Sequence, residues 1–174
     1  MSHSIELLLD RHSDVAVRAQ WRALADAGLP SQLRIKADTN RPHITLLAAQ
    51  QISPDVDETL RALAPHFPLP CVLGTPLVFG GPRVTLARLV VPSSALLALH
   101  AEVYRLTMAH LPGGPYGHCE PGHWTPHVTL GRRYTAEEVG RALTALSCYG
   151  DLPARVVGLR RWDGDARIDH LLVG

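Results

Sequence analysis

The sequence of 174 residues predicts an α+β fold built from two diverged copies of one supersecondary unit, and three observations carry that reading. First, a Pro-His-hydrophobic-Thr-Leu stretch occurs twice, as Pro42-His43-Ile44-Thr45-Leu46 and Pro126-His127-Val128-Thr129-Leu130, with the histidines 84 positions apart. Second, each motif leads into the same series of strand, helix and hairpin. Third, Leu69-Pro70 and Leu152-Pro153 open the two hairpins 83 positions apart, nearly the offset of the histidines. Self-similarity at a fixed offset marks a tandem duplication. Two such copies commonly pack about a pseudo-twofold axis, which would set both histidine strands against one cleft.

The elements follow in order. Ile5 to Leu9 reads as a strand, and Asp14 to Ala27 as a helix with an apolar stripe of Val17, Trp21 and Leu24 and a stop at Gly28. Trp21 and Leu24 are assigned to the core on that spacing. A short strand is expected at Gln32 to Ile35. The His43 strand runs to about Gln50, and Ser53-Pro54 opens a helix through Ala64. Cys71 to Phe79 and Arg83 to Val91 form a hairpin across Gly80-Gly81-Pro82. Ser93 or Ser94 opens a longer helix that ends near His110, before Leu111-Pro112-Gly113-Gly114-Pro115. After a loop to His123 comes the His127 strand, then a helix whose Thr135 and Glu138 form a capping box. Ala154 to Trp162 and Ala166 to Val173 make the last hairpin across Asp163-Gly164-Asp165.

Composition narrows the function classes. The hydrophobic share of 46% with 19% charged residues is that of an ordinary folded domain. With 17 Lys+Arg against 16 Asp+Glu the formal charge is +1, so no global field draws the chain to nucleic acid or membrane, and anion binding must be local. Lys36 is the only lysine, and the arginines supply planar forks suited to phosphate. Three cysteines, Cys71, Cys119 and Cys148, include no Cys-x-x-Cys pair. They read as buried thiols in a reducing compartment. The apolar run near the N-terminus is too short for a signal or a span, which makes the cytoplasm the expected location. A monomer is the expected state.

In a strand, side chains alternate between faces, so His43 and Thr45 share one face while Ile44 and Leu46 take the other; His127 and Thr129 repeat the arrangement. Two imidazoles facing one substrate can divide acid–base work on a phosphodiester, one taking a proton from the attacking water or hydroxyl and the other giving one to the leaving oxygen. The threonine hydroxyls can hydrogen-bond phosphate oxygens. The segment His118-Cys119-Glu120-Pro121-Gly122-His123-Trp124-Thr125-Pro126-His127 invites a zinc reading, but its prolines and spacing do not give the usual close ligand pairs. No metal and no cofactor are therefore expected, and His118 and His123 are placed on a loop at the rim of the cleft.

The paired His-x-Thr-Leu motifs resemble those of the 2H phosphoesterase superfamily, in particular the 2′-5′ RNA ligase and RNA 2′,3′-cyclic phosphodiesterase family, and the resemblance spans nearly the whole chain. It implies a single bilobal domain, two antiparallel sheets with helices outside around a central cleft. It also implies metal-independent opening of 2′,3′-cyclic phosphates, or reversible 2′-5′ joining, at RNA ends or nucleotides. His43 and His127 would be catalytic, and Thr45, Thr129 and Arg132 would bind substrate. Strict alternation instead puts Arg133 on the face of His127, so Arg132 reaches the cleft only if Gly131 marks a bulge; Arg41 is a further candidate. The first strand, Ile-Glu-Leu-Leu-Leu, lacks an aromatic residue that some members place near the base, leaving Tyr116, Trp124 or Trp162 for stacking. The competing reading is a nucleotide- or RNA-binding module of the same fold without turnover. His43 is favoured as acid and His127 as base, because Arg132 nearby would keep His127 neutral.

Overall fold

The computed structural model describes residues 2–147 and 150–174; the expectation for Cys148 lies outside the described residues. Among the described residues, seven strands and four α-helices follow in the order β1 (His3–Leu9), α1 (Arg11–Asp26), β2 (His43–Ala49), α2 (Val56–Arg61), β3 (Leu69–Gly80), β4 (Val84–Val90), α3 (Ser94–Thr107), β5 (His127–Tyr134), α4 (Ala136–Leu146), β6 (Leu152–Asp163) and β7 (Ile168–Val173). All strand pairs are antiparallel, in the order β1-β2-β5-β4-β3-β6-β7, and β6 also pairs with β1. One side of the molecule is thus β2-β1-β6-β7 and the other β5-β4-β3.

Two contacts join the sides. Ile44 pairs with Val128 between β2 and β5, and Leu69–Leu73 of β3 pairs with Leu152–Val156 of β6, with Cys71 opposite Ala154. Ile44 and Val128 are 84 apart, and Cys71 and Ala154 are 83 apart. Each junction therefore joins positions separated by the offset, or nearly the offset, of the two histidine motifs. The faces away from the cleft carry the core, which includes Ile5, Leu7, Ile44, Leu46, Val128 and Leu130 with Val17, Trp21 and Leu24 of α1 and Leu96, Leu99 and Val103 of α3.

Local chemistry explains most boundaries. The capping box forms as expected: Thr135 Oγ1 accepts from Glu138 N and Glu138 accepts from Thr135 N. Ser93 caps α3. Helix α1 begins three residues early, because Asp10 accepts from the Ser13 amide and hydroxyl. Gly28 at φ 73° takes the left-handed conformation that ends it.

Two expectations fail. Residues 32–35 are not a strand: Gln32–Arg34 is a single 3₁₀ turn. Ser31 there accepts from the Leu33 amide and donates to Trp21 O, a local arrangement that competes with extended pairing. Helix α2 is shorter than read and has Asp55 at its N-cap position, without a side-chain cap. Ser53 bonds Asp55 instead, and Pro65, which cannot donate, falls in a following 3₁₀ turn. No helix among the described residues is long and apolar enough to cross a membrane.

Candidate active site

His43 and His127 line one cavity of about 840 Å³ between the two sides of the sheet. Each imidazole is fixed in the same way. His43 Nδ1 lies 2.7 Å from Arg41 O, and His127 Nδ1 lies 2.7 Å from Thr125 O. In both motifs a proline separates the carbonyl from the histidine and locks one of the torsions between them. A carbonyl can only accept, so both rings carry their proton on Nδ1 and leave Nε2 for the cavity.

The threonines are placed differently. Thr45 lines the cavity, whereas Thr129 is 8% exposed and is not among the wall residues. An indole bonds the backbone of each: Trp124 Nε1 donates to Thr45 O at 2.9 Å and Trp21 Nε1 to Thr129 O at 3.0 Å.

Arg132 is in the wall, and the pairing of β4 with β5 shows how. Ala87 opposes Thr129 but Leu86 opposes Gly131, so Leu130 is an extra residue that breaks the alternation. Thr85 then opposes Arg132, which puts Arg132 on the face of Thr129. A second irregularity leaves Arg133 unpaired at φ 71°, with its carbonyl accepting from Arg83. Gly131 suits the first bulge because a Cβ there would run into the Pro30 carbonyl and the Tyr134 ring. Arg133 is exposed and lies outside the cavity wall, and Arg41 contributes its carbonyl instead of its guanidinium.

The principal residue that sequence reasoning missed is Glu6. It is buried in β1 directly opposite Thr45, with Oε1 at 3.6 Å from His43 Nε2. Ser4 Oγ donates to Oε1 at 2.6 Å, and Arg160 approaches Oε2 with Nε at 2.8 Å and a terminal nitrogen at 2.7 Å. Arg160 is buried too and reaches Asp169 and Thr39 O, both at 3.0 Å. Burial pushes the Glu6 carboxyl upward, but the charges of His43 and Arg160 and the bonds from Ser4 and Arg160 hold it below its ordinary value. An acidic residue inside an apolar strand was the available signal.

His127 has other company. The Phe79 ring meets it edge-on at 4.7 Å between centroids. Desolvation, followed by the charges of Arg132, His43 and His118, lowers its pKa, against the opposing bond to Thr125 O.

Of the aromatic residues expected near a base, Trp124 and Trp162 line the cavity and Tyr116 does not; Phe79, not foreseen, does. His118, Cys119 and His123 are also in the wall. Cys119 Sγ is taken up by the Ala48 backbone, and burial raises its thiol and that of Cys71, the latter to about 11. Among the described residues, the one group whose ligand atoms converge within 4.8 Å is His3, Asp163 and Asp165, not the histidines of residues 118–127.

The fold and these groups define a class: a two-sided antiparallel scaffold presenting two equivalently held histidines to one cleft. The chain belongs to the 2′-5′ RNA ligase superfamily, the 2H phosphoesterases, whose family model matches residues 13–166. No curated protein matches the sequence. Solved structures share the fold at low identity. Usb1 of Kluyveromyces marxianus with uridine monophosphate is 14% identical at a TM-score of 0.55, over 99% of this chain and 97% of that one. A phosphoesterase crystal structure is 15% identical at 0.51, over 99% of each. Escherichia coli LigT complexed with NADP+ is 19% identical at 0.50, over 99% of this chain and 93% of that one.

Proposed function

We propose that this protein is a metal-independent phosphodiesterase acting on 2′,3′-cyclic or 2′-5′ phosphodiester bonds of RNA ends or nucleotides in the cytoplasm, with 2′-5′ joining as the reverse reaction. The observation that carries the reading is the identical Nδ1 lock on His43 and His127, which turns both Nε2 atoms toward one cavity. On a 2′,3′-cyclic phosphate, His127 Nε2 takes a proton from water as the oxygen attacks phosphorus. The bond from phosphorus to O3′ breaks, and His43 Nε2–H supplies the proton that O3′ requires. The product is a 2′-phosphate, one water is consumed, and solvent exchange restores both rings. Arg132 and Thr45 steady the phosphate oxygens, with Thr129 supporting the same wall. Phe79 and Trp162 offer a base apolar faces. The nucleotides held by the Usb1 and LigT structures support a ligand of this class.

The test is turnover of 2′,3′-cyclic nucleotides and 2′-5′ dinucleotides with a chelator present, the product phosphate being located by NMR. Activity under chelator is expected. Tight nucleotide binding without turnover would instead establish a binding module, and turnover abolished by chelator would establish a metal hydrolase.

Three variants refine the picture. Thr45→Val removes one neutral hydrogen bond of about 0.5 to 1.5 kcal/mol, so kcat/KM should fall roughly 2- to 10-fold. Thr129→Val, at a position outside the cavity wall, should cost less than Thr45→Val. Arg132→Gln removes one of the charges that lower His127. The acidic limb of the rate profile should therefore move to higher pH while the alkaline limb stays, as measured by kcat/KM from pH 5 to 9. A moved alkaline limb with a fixed acidic limb would reverse the acid and base.

A further inference from the structure

The two halves of the site share a backbone plan but not a charge plan. In β1 and β6, Glu6 pairs across the strands with Arg160; in β4 and β3, Ala87 pairs with Leu77. These are corresponding places: Glu6 opposes Thr45 as Ala87 opposes Thr129, and Leu77 and Arg160 are 83 positions apart. Where one half has a buried ion pair beside its histidine, the other has two aliphatic side chains.

We infer that Glu6 is a positioning residue that makes His43 the proton donor and so sets the direction of the reaction across a pseudo-symmetric cleft. The inference rests on the acid–base reading of the site. With Nδ1 committed to Arg41 O, a second proton on the His43 ring must sit on Nε2, the atom 3.6 Å from Glu6 Oε1. A fixed carboxylate there gives that N–H a charged neighbour and orients the ring until a leaving oxygen takes the proton. Ser4 and Arg160 fix the carboxylate in turn. Glu6 from β1, itself paired with Arg160 of β6, and His127 from β5 interact electrostatically with His43, and Arg132, His118 and His123 line the same cavity. The charged groups around His127 are Arg132, His118 and His43, with no carboxylate among the groups that shift it. Two equivalently held imidazoles thus face different charges, an asymmetry that concerted transfer requires.

The test is Glu6→Gln, close in shape, with Glu6→Asp as the charge-retaining control and thermal unfolding to establish that each is folded. For Glu6→Gln the alkaline limb of kcat/KM should move to lower pH. Turnover should fall several-fold more at pH 8 than at pH 6. Glu6→Asp should recover part of the loss at pH 8. An equal loss at every pH would reduce Glu6 to a structural role and overturn the inference. A readout independent of turnover is the carbethoxylation rate of each histidine by diethyl pyrocarbonate at pH 6.5, read by peptide mass, because only the neutral ring reacts. His43 should react faster in Glu6→Gln, with His127 changing far less and in the opposite sense; an unchanged His43 would overturn the inference. Were the wild-type protein to turn over none of these phosphodiesters, the functional reading would fall, and the carbethoxylation rates would still decide what Glu6 does to His43.

Discussion

His43→Ala and His127→Ala are each expected to lower kcat/KM by roughly 100- to 10,000-fold, the range of a lost general acid or base, with the fold intact by circular dichroism. Both rings are partly exposed to the cavity and their backbone segments are held by strand pairing, so truncation leaves a larger cavity without a broken core. The double variant should fall little further than the worse single one, because the two imidazoles act in one proton relay and their losses do not add. Ligand affinity separates the competing readings. A phosphodiesterase loses turnover in both variants while retaining much of its affinity for a nucleotide product, whereas a binding module has no turnover to lose. Near-wild-type activity in either single variant would falsify the paired mechanism.

What could be read in the sequence was what depends on short range. The Pro-His-x-Thr pairs, the Thr135–Glu138 capping box and the hairpin at Gly80-Gly81-Pro82 are local signals, and local chemistry produces them. The segment at residues 32–35 forms a 3₁₀ turn and not the expected strand, because Ser31 offers the backbone a local turn. Arg132 was recoverable only through a bulge, since a single extra residue on β5 reverses which arginine faces His127. Glu6 was out of reach for a different reason. Its role exists only through partners far along the chain, Thr45 across one edge of β1 and Arg160 across the other, and register between strands cannot be read from one strand alone. A carboxylate among four aliphatic residues was a sign of something, without saying what.

The largest stability effect is expected from Arg160→Leu. The guanidinium is 3% exposed and serves Glu6, Asp169 and Thr39 O at once; removing it leaves the Glu6 carboxylate buried with Ser4 and His43. Breaking a buried pair from one side costs about 3 to 5 kcal/mol, which for a chain of this size lowers Tm by roughly 6 to 20 °C. The pH dependence should change sign. In the wild type the Glu6 carboxyl lies below its ordinary value of 4.5, so its contribution is present above that pH and is lost as pH falls through the folded-state value. In Arg160→Leu, burial acts with less opposition and raises the carboxyl. The folded variant then binds the proton more tightly than the unfolded chain, and the deficit grows from pH 5 to pH 7. The double variant Glu6→Ala/Arg160→Leu reproduces the Ala87/Leu77 pair of the other half, and replacing a buried pair by apolar residues is often neutral. It should recover most of the lost stability but not the alkaline limb of the rate profile, because His43 would then have no carboxylate beside it. Thermal unfolding at pH 5 and 7, beside kcat/KM at pH 6 and 8, separates the two effects. A double variant as unstable as Arg160→Leu would make the pair a requirement of folding, and one with wild-type activity at pH 8 would remove its part in setting which histidine gives the proton.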